Sequence, residues 1–358
     1  MKLADLGLTD EIEKYIEENN LDNYTIGRVI REDRERYVVS TGEKEYEAEI
    51  TGNMRFTAST RADFPAVGDW VAMMTYDPDV AVIHCILPRK SVLERQSTGK
   101  HGEKQLIAAN VDTAFIIQSL DSNFSINRLE RYVVICRNAH IEPVMIISKT
   151  DLAGDQEKQA AVSKLKSRER KIKYLMVSNL TGEGLDEISG LIEKSKTYCF
   201  LGSSGVGKST LVNNLLGREQ LKTGEISTST GKGRHTTSRR ELMVLGNGGI
   251  IIDTPGMREL GITDSEEGIE STFEDISVLA ENCRFPDCRH VDEKGCAVIE
   301  AVEKGLINRE SLENYHKLQL ERQHFESTLA ERRKKDKAFG KMMKTYKKDM
   351  GRFNSKQD

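Results

Sequence analysis

Residues 198–216 read YCFLGSSGVGKSTLVNNLL. The apolar residues Tyr198–Leu201 predict a short buried strand, and the following segment, Gly202–Ser209, matches G-x-x-x-x-G-K-[ST] at every fixed position. Beyond Ser209, apolar residues recur at helical spacing up to Gly217, a residue type that often ends helices. Strand, glycine-rich loop and helix thus follow in the order that a phosphate-binding loop requires. The alternative is a glycine-rich turn before an ordinary helix.

The chemistry of this loop predicts nucleotide contacts. Glycines allow the backbone to wrap a phosphate chain, so that its N–H groups and the helix N-terminus are directed at negative charge. Lys208 would place a cation on the β- and γ-phosphates, and the Ser209 hydroxyl would bind Mg²⁺. The nucleotide-binding residues predicted here are Gly202, Ser203, Ser204, Gly205, Val206, Gly207, Lys208, Ser209 and Thr210.

Composition indicates a multidomain protein of a reducing compartment. The 358 residues exceed one ordinary core and predict two or three domains. No apolar run is long enough to span a bilayer, and the first 20 residues lack a basic start before an apolar core. We therefore expect neither a membrane segment nor a secretory signal. Six cysteines then favour a cytoplasmic location, where thiols bind metal or pack as small apolar groups.

The N-terminal part has an all-β pattern. We predict a helix within 1–23, a barrel of the OB type over 24–90 and a connector over 91–111; an SH3-like barrel with a structural role is the alternative. The predicted strands of the barrel lie near 24–31, 36–40, 45–51, 69–75 and 80–87. Basic residues near the connector indicate either an RNA-facing strip or a solvated linker: Arg89, Lys90, Arg95, Lys100 and Lys104.

From Asp112 the pattern alternates between strands and helices, which predicts a doubly wound α/β domain over 112–266. Gly246–Gly249 is typical of a hairpin turn between its last two strands. The predicted strands are 113–118, 143–148, 173–178, 198–201, 241–245 and 250–253. The predicted helices lie near 127–138, 156–168, 185–194 and 209–216.

A second motif bears on the base of the nucleotide. Ser148, Lys149, Thr150 and Asp151 follow an apolar strand and resemble the N-K-x-D element of GTPases. In that element the aspartate accepts hydrogen bonds from guanine N1 and N2, and the lysine stem packs over the base. Adenine has no 2-amino group and an acceptor at N1, so a carboxylate there rejects it. Ser148 departs from the asparagine of the pattern, which predicts weaker contacts to the base and to the neighbouring loop.

Two further elements also stand at strand ends. Ser178 and Asn179 resemble the short loop whose backbone N–H supports guanine O6. Asp253, followed by Thr-Pro-Gly256, resembles the D-x-x-G element, in which the aspartate holds Mg²⁺ through water and the glycine N–H contacts the γ-phosphate. Four such elements in one domain predict a GTPase that binds GTP or GDP with Mg²⁺.

Residues 222–240 are nearly free of large apolar side chains and rich in glycine, serine and threonine, a pattern typical of a switch. Thr236 or Thr237 would complete the magnesium shell. Met257 stands where Ras-like proteins carry a glutamine after D-x-x-G, and it cannot orient water.

The order of the elements is rotated, because both guanine-reading loops precede the phosphate loop. Together with the barrel and the C-terminal cysteines, this order closely resembles the circularly permuted, ribosome-small-subunit-dependent GTPases of the RsgA/YjeQ family, over roughly 24–320. The resemblance implies GTP hydrolysis during late maturation of the small ribosomal subunit, with that subunit and its rRNA as partners. It also implies His235 as the catalytic residue; a phosphate- or RNA-contacting histidine is the alternative. An RNA-binding assembly scaffold with negligible hydrolysis is the alternative function.

A predicted zinc-binding helical domain over 267–325 carries Cys283, Cys288, His290 and Cys296. Three thiolates and an imidazole within 14 residues suit one closed tetrahedral Zn²⁺ site with a structural role.

The net charge of −4 conceals a basic end of the chain, 326–358. From Glu331 to Lys356 there are 11 lysines and arginines against three acidic residues. Aromatic residues between the cations suit structured RNA, and a solvated end without a fixed partner is the alternative. We expect a monomer.

Overall fold

A computed structural model of the chain describes residues 1–33, 36–58, 60–96, 104–121, 124–217, 240–253 and 266–326. Several predicted features lie outside these ranges: the segment 218–239 with His235, Thr236 and Thr237, the residues Gly256 and Met257, and residues 327–358 of the basic end.

The N-terminal part of the described chain forms a closed five-stranded barrel of the OB type. Its strands are β1 (Thr25–Asp33), β2 (Arg36–Ser40), β3 (Glu45–Ile50), β4 (Trp70–Asp77) and β5 (Val80–Ile86). The strand order is β1-β2-β3-β5-β4, and β4 pairs with β1 to close the barrel. Its interior is filled by valine, isoleucine, methionine and Tyr37. Because alternate residues of each strand point inward, short β-branched runs suffice to form this small core.

Short helices cover the outside of the barrel. A 3₁₀ helix at Leu3–Leu6 and the helix α1 (Asp10–Glu18) pack on the side of the barrel that carries Trp70. The helix α2 (Gly52–Thr57) and a second 3₁₀ turn, Arg61–Asp63, join β3 to β4.

The described part of the connector forms two paired antiparallel strands with buried apolar side chains, which corrects the expectation of a merely solvated linker. Its strands are β6 (Val92–Gln96) and β7 (Lys104–Ala109), and it buries Leu93 and Leu106. The first two cations of the expected RNA-facing strip both have acidic partners, although half of the Lys90 side chain stays exposed and the strip itself remains a prediction. Arg89 forms two hydrogen bonds of 2.7–2.8 Å with the fully buried carboxylate of Asp69, and Lys90 Nζ lies 2.6 Å from an oxygen of Asp112.

The central domain is built on a mostly parallel sheet. Its strands are β8 (Thr113–Ser119), β9 (Glu142–Ser148), β10 (Lys173–Val177), β11 (Thr197–Leu201), β12 (Arg240–Val244) and β13 (Ile250–Asp253). Its helices are α3 (Ile126–Asn138), α4 (Asp155–Lys166), α5 (Leu185–Leu191) and α6 (Lys208–Leu216). The order is β10-β9-β8-β11-β13-β12, in which only β12 runs antiparallel, in a hairpin with β13. Separate apolar clusters cover the two faces of the sheet, as expected for a doubly wound fold.

The sheet continues into the barrel. Strand β12 pairs with β1, with Arg31 opposite Glu241 and Glu32 opposite Arg240, so the described strands of both domains form one eleven-stranded sheet. Beside this pairing lies Arg28, which is 1% exposed. The guanidinium joins parts that are distant in sequence, because it donates hydrogen bonds to Leu6 O, Gly68 O, Asn110 O and Thr197 Oγ1.

The C-terminal part is helical and packs on α3. Its helices are α7 (Glu266–Thr272), α8 (Glu274–Ala280), α9 (Ala297–Glu303) and α10 (Arg309–Glu326). Helices α7 and α3 approach so closely that a Cβ at Gly268 would lie 2.3 Å from Val134 O. Apolar residues of α7 to α10 therefore join the cluster on one face of the sheet.

Candidate nucleotide-binding site and metal cluster

The predicted nucleotide-binding elements meet at one edge of the sheet. Strands β8, β9, β10, β11 and β13 are parallel, so their carboxyl ends lie at the same edge. Ser148 and Asp253 end β9 and β13, while Ser178 and Gly202 follow β10 and β11 directly. In open α/β sheets this edge, near the point where the strand order reverses, is where ligands bind.

The backbone of the phosphate loop requires glycine at two positions. Gly202 has φ +148°, and a Cβ there would lie 2.3 Å from Ile117 O. Gly207, the residue before α6, has φ +93°, and a Cβ there would lie 2.8 Å from Asn179 Nδ2. Lys208 Nζ donates to Gly202 O at 2.8 Å and to Ser203 O at 2.6 Å. Its ammonium group therefore lies over the loop that the sequence predicts to hold phosphates.

The two guanine-reading loops contact each other through Asp151. Ser178 is fully buried, and its hydroxyl donates to Asp151 Oδ1 at 2.6 Å. The same oxygen of Ser178 accepts from the backbone N–H groups of Leu180 and Thr181, at 3.3 and 3.1 Å. This chain of hydrogen bonds fixes the direction of the Asp151 carboxylate and occupies one of the several acceptor sites on its two oxygens.

Both guanine-reading loops are also bonded to the phosphate loop. Ser148 Oγ donates to Val206 O at 2.7 Å, and Asn179 Nδ2 donates to Gly207 O at 3.1 Å. Serine at position 148 therefore keeps a contact to the neighbouring loop, because its hydroxyl is close enough to make that bond directly. A weaker contact than asparagine would make stays a prediction.

Three residues that no motif indicated support these loops. Asp121 lies 3.7 Å from Lys149 Nζ, and Glu183 accepts a long hydrogen bond of 3.4 Å from the buried Thr150 hydroxyl. Asn214 donates to Asn179 Oδ1 at 3.3 Å. These supporting residues lie roughly 30 positions along the chain from the residues that they contact, and no sequence motif has that spacing. Only the fold brings them to the site.

Two of the predicted magnesium ligands, Ser209 and Asp253, are among the residues that the structure describes. Ser209 lies in the first turn of α6 after β11, and Asp253 ends β13, which pairs with β11 with Cys199 opposite Ile252. Both therefore stand at the same edge of the sheet. The other predicted contacts, Thr236, Thr237 and Gly256, lie outside the described residues, as does His235.

The four predicted zinc ligands converge in the C-terminal part. The potential ligand atoms of Cys283, Cys288, His290 and Cys296 all lie within 4.8 Å of one another. The Sγ atoms of Cys283 and Cys296 are 3.8 Å apart, and His290 Nδ1 lies 3.6 and 3.3 Å from them. A tetrahedron with Zn–S bonds of about 2.3 Å has S–S edges of about 3.8 Å. Burial lowers the pKa of His290, which favours the neutral imidazole that binds metals. The donor set therefore fits a tetrahedral metal ion.

This fold and this site define a P-loop GTPase with its guanine-reading loops ahead of the phosphate loop in sequence, flanked by an OB-type barrel and a Cys/His cluster. The family model described as RsgA GTPase matches residues 86–263. Small ribosomal subunit biogenesis GTPase RsgA 1 of Bacteroides thetaiotaomicron is 41% identical over 91% of each chain. RsgA 2 of Vibrio parahaemolyticus is 38% identical over 97% of this chain and 93% of its own. The chain belongs to the RsgA GTPase family.

Solved structures agree with this membership. YjeQ from Thermotoga maritima has a TM-score of 0.61 and 26% identity, covering 82% of this chain and 96% of its own. YloQ, titled a circularly permuted GTPase, has a TM-score of 0.58 and 25% identity, covering 83% and 94%. The likeness supports the predicted permutation and fold.

A second family model, that of ABC transporters, matches residues 185–346. This range contains the phosphate loop, which many nucleotide-binding proteins share, and it omits residues 148–151 and 178–179. Among the described residues, every helix is too short or too polar to cross a lipid bilayer.

Proposed function

We propose that this chain hydrolyses GTP to GDP and phosphate during late maturation of the small ribosomal subunit, and that the subunit stimulates hydrolysis. The observation that carries the proposal is the direct bonding of both guanine-reading loops to consecutive carbonyls of the phosphate loop, Val206 O and Gly207 O. These two bonds support the assignment of base recognition and phosphate binding to one site. Family membership supports the reaction and the biological context.

The residues of the site then have distinct proposed roles. Asp151 accepts from N1 and N2 of guanine, the Asn179 backbone supports O6, and the Lys149 stem covers the base. Residues 202–210 and the N-terminus of α6 bind the phosphates, with Lys208 compensating the negative charge that moves toward the leaving oxygen. Ser209, Asp253 and Thr236 or Thr237 would hold Mg²⁺, which supplies further positive charge at the β- and γ-phosphates. The resemblance to the D-x-x-G element assigns the contact to the γ-phosphate to Gly256.

The attacking water needs an acceptor for its proton or a group that orients it. We propose His235 for this role, because a neutral imidazole accepts a hydrogen bond from water and Met257 cannot. His235→Ala is expected to reduce turnover stimulated by small subunits more than tenfold on the scale of such orienting groups, with GDP affinity nearly unchanged. The measurement is phosphate release with and without small ribosomal subunits. Unchanged stimulated turnover in the variant would exclude His235, and absent turnover in the wild type would favour the scaffold function.

Base preference tests the site itself. In the variant Asp151→Asn, the side-chain amide presents a donor where the carboxylate presented an acceptor. Xanthine carries a carbonyl at position 2 in place of the amino group, so the variant should lose GDP affinity and bind xanthosine diphosphate better. Two bonds to a charged group correspond to a loss of roughly 100-fold or more. Asp155→Asn, an exposed carboxylate at the start of α4, is the matched control. Unaltered base preference in Asp151→Asn would contradict the proposal.

We further propose that the cysteine and histidine ligands hold one Zn²⁺ ion with a structural role. The four donors occupy all the positions of a tetrahedron and leave none for a substrate. Cys296 is buried in the same apolar cluster as Val298 and Ala301 of α9, so an ion there would connect the ligand loop to the domain core.

We retain the domain boundaries 1–23, 24–90, 91–111, 112–266, 267–325 and 326–358 as a proposal. The barrel and the basic end are the proposed contacts with rRNA, since OB barrels and cationic segments with aromatic residues suit RNA. A cytoplasmic monomer is proposed with them, because assembly of ribosomal subunits supplies the partner in that compartment.

A further inference from the structure

An asparagine at position 148 could donate one hydrogen bond to the phosphate loop and a second one to the purine base. Serine at this position can donate only one. Ser148 is 1% exposed at the end of β9, and its hydroxyl donates to Val206 O at 2.7 Å. A serine hydroxyl carries one hydrogen, whereas the amide nitrogen of asparagine carries two. The single hydrogen of Ser148 is directed at the phosphate loop, and its remaining capacity is only to accept.

The single hydrogen of Ser148 limits which atoms of the purine ring it can contact. Of the atoms on the guanine edges, N1 and N2 are donors, while O6 and N7 are acceptors. Position 148 therefore has no hydrogen left for N7. An asparagine there has a second N–H for the base while its first serves the loop.

The neighbouring guanine-reading loop is directed elsewhere. Asn179 Nδ2 donates to Gly207 O at 3.1 Å, and Asn179 Oδ1 accepts from Asn214 Nδ2 at 3.3 Å. The Ser178 hydroxyl donates to Asp151. These bonds use Asn179 Oδ1 and one of the two N–H groups of its amide, and they connect the loop to the phosphate loop, to α6 and to Asp151.

We propose that Ser148 is a positioning residue that fixes the guanine-reading loop to the phosphate loop and gives purine N7 no donor from position 148, so that the described part of the site selects guanine through N1, N2 and O6. The proposal rests on the proposed binding of guanine nucleotide at this site. It assigns to Ser148 a structural contact and a specificity that can be measured separately.

The test compares GDP with 7-deaza-GDP, in which N7 is replaced by a C–H group. Affinities are measured by isothermal titration calorimetry for the full-length wild type, Ser148→Asn and Ser148→Ala. The wild type should bind both nucleotides within about twofold, because no hydrogen bond to N7 is lost. Ser148→Asn should prefer GDP by about threefold to tenfold, the range of one neutral hydrogen bond.

Ser148→Ala provides the structural control. It leaves Val206 O without its donor and should weaken both nucleotides by the same factor, with the ratio of their affinities unchanged. A purely structural role for position 148 would leave that ratio unchanged in Ser148→Asn as well. Melting temperatures of the nucleotide-free variants report whether each one folds, and the wild-type ratio tests the proposal even where a variant does not.

ADP distinguishes the possible failures. If the wild type binds ADP as tightly as GDP, the proposed function fails. This inference alone is overturned if the wild type prefers GDP to ADP and its affinity for 7-deaza-GDP is lower than that for GDP by more than about fivefold. Solvent effects on one ring atom would give a smaller loss. A Ser148→Asn variant that folds and shows no preference for GDP over 7-deaza-GDP also overturns it.

Discussion

The central domain is joined to its two neighbours through buried arginines that have different partners. At the barrel side, Arg28 donates to backbone carbonyls and one hydroxyl, with Trp70 5.6 Å from its guanidinium carbon. At the C-terminal side, Arg168 forms a two-bond ion pair with Glu130 of its own domain, at 2.5 and 2.8 Å, and both side chains are 1% exposed. The contact that crosses this junction is between Arg168 Nη1 and a carboxylate oxygen of Glu310 in α10, 3.3 Å apart. The first junction is held by dipoles and the second by opposite charges.

This difference sets how each junction responds to change. Burial lowers the pKa of Arg28 to about 10, still above physiological pH, so its charge persists without a carboxylate in contact. Burial raises the pKa of Glu130, and Arg168 opposes that rise. Asn314 of α10 donates to Glu130 at 2.6 Å, which brings the C-terminal helix into the pair. The C-terminal junction should therefore be more sensitive to loss of one partner and to pH.

Removal of the metal should give the largest difference in stability between the C-terminal part and the barrel. Structural Zn²⁺ contributes about 10–16 kcal/mol of apparent binding free energy in small domains. Chelation is expected to unfold residues 268–310 while guanine nucleotide still binds. Hydrogen exchange followed by mass spectrometry should show lost protection there and retained protection in residues 1–33. Full protection of 268–310 in the metal-free protein would contradict a structural role.

Arg168→Met should be the most harmful single substitution of the two junctions. It leaves the buried Glu130 carboxyl without its counter-charge, and breaking a buried pair in this way typically costs about 3–5 kcal/mol. Urea unfolding gives the free energy of unfolding. The double variant Arg168→Met, Glu130→Gln removes both charges and should recover much of the loss. Equal losses in the single and double variants would argue against a dominant charge effect.

Arg28→Met should destabilise the barrel side by about 2–4 kcal/mol, because three backbone carbonyls lose their donor while the cost of burying a charge is relieved. Arg31→Met, at the half-exposed pair with Glu241 on the same strand, is the matched control and should change stability little. The Arg28 effect should be constant between pH 5 and 8, since its pKa stays near 10. A strong pH dependence of that difference would contradict the dipole-based junction.

Glu169 makes the C-terminal junction pH-dependent. Burial raises its pKa from 4.5 to about 7, with Arg137 opposing the rise, and within the described residues its Oε1 accepts no hydrogen bond. The folded state therefore binds the proton more tightly than the unfolded state. Stability that is fully present below pH 4.5 is lost as pH rises through 7. Glu169→Gln should be more stable than the wild type at pH 8, by up to about 3 kcal/mol, and equal to it at pH 4. Thermal unfolding across this range gives the comparison, and parallel curves would contradict it.

Arg131→Ala should have the smallest effect. Arg131 pairs with Glu321 across the same junction at 2.7 Å, but about a third of its side chain is exposed. Water already solvates such charges, so the loss should stay below about 1 kcal/mol. Comparison of Arg131→Ala with Arg168→Met shows whether the loss of stability depends on burial of the ion pair or on the pairing alone. Similar losses in both variants would mean that burial of the pair does not decide its contribution.

The local elements of the fold were predictable because each depends on residues close in sequence. The alternation of apolar runs located the barrel strands and the central strands, with ends that differ from the structure by a few residues. The spacing of Cys283, Cys288, His290 and Cys296 predicted their convergence, because four ligands within 14 residues can meet through local turns.

The interpretation of individual charges was less successful. Arg89 in a basic stretch suggested RNA, yet its guanidinium is paired with Asp69, 20 residues earlier. A count of charges gives no information on partners that the barrel brings together. For the same reason, no pattern in the sequence indicates that Arg28, Glu130 and Glu169 are buried at the two junctions.

The sequence by itself determined the phosphate loop, the rotated order of the guanine-reading elements and the metal-ligand set, since each is encoded by residue type at short spacing. Tertiary structure alone decided that β12 extends the sheet into the barrel, that Arg28 meets three backbone carbonyls and one hydroxyl from four distant segments, and that Ser148 bonds to Val206. The physical reason is that burial and hydrogen-bond partners depend on which segments pack together, and residues 58 or 169 positions apart leave no periodic signal in the chain.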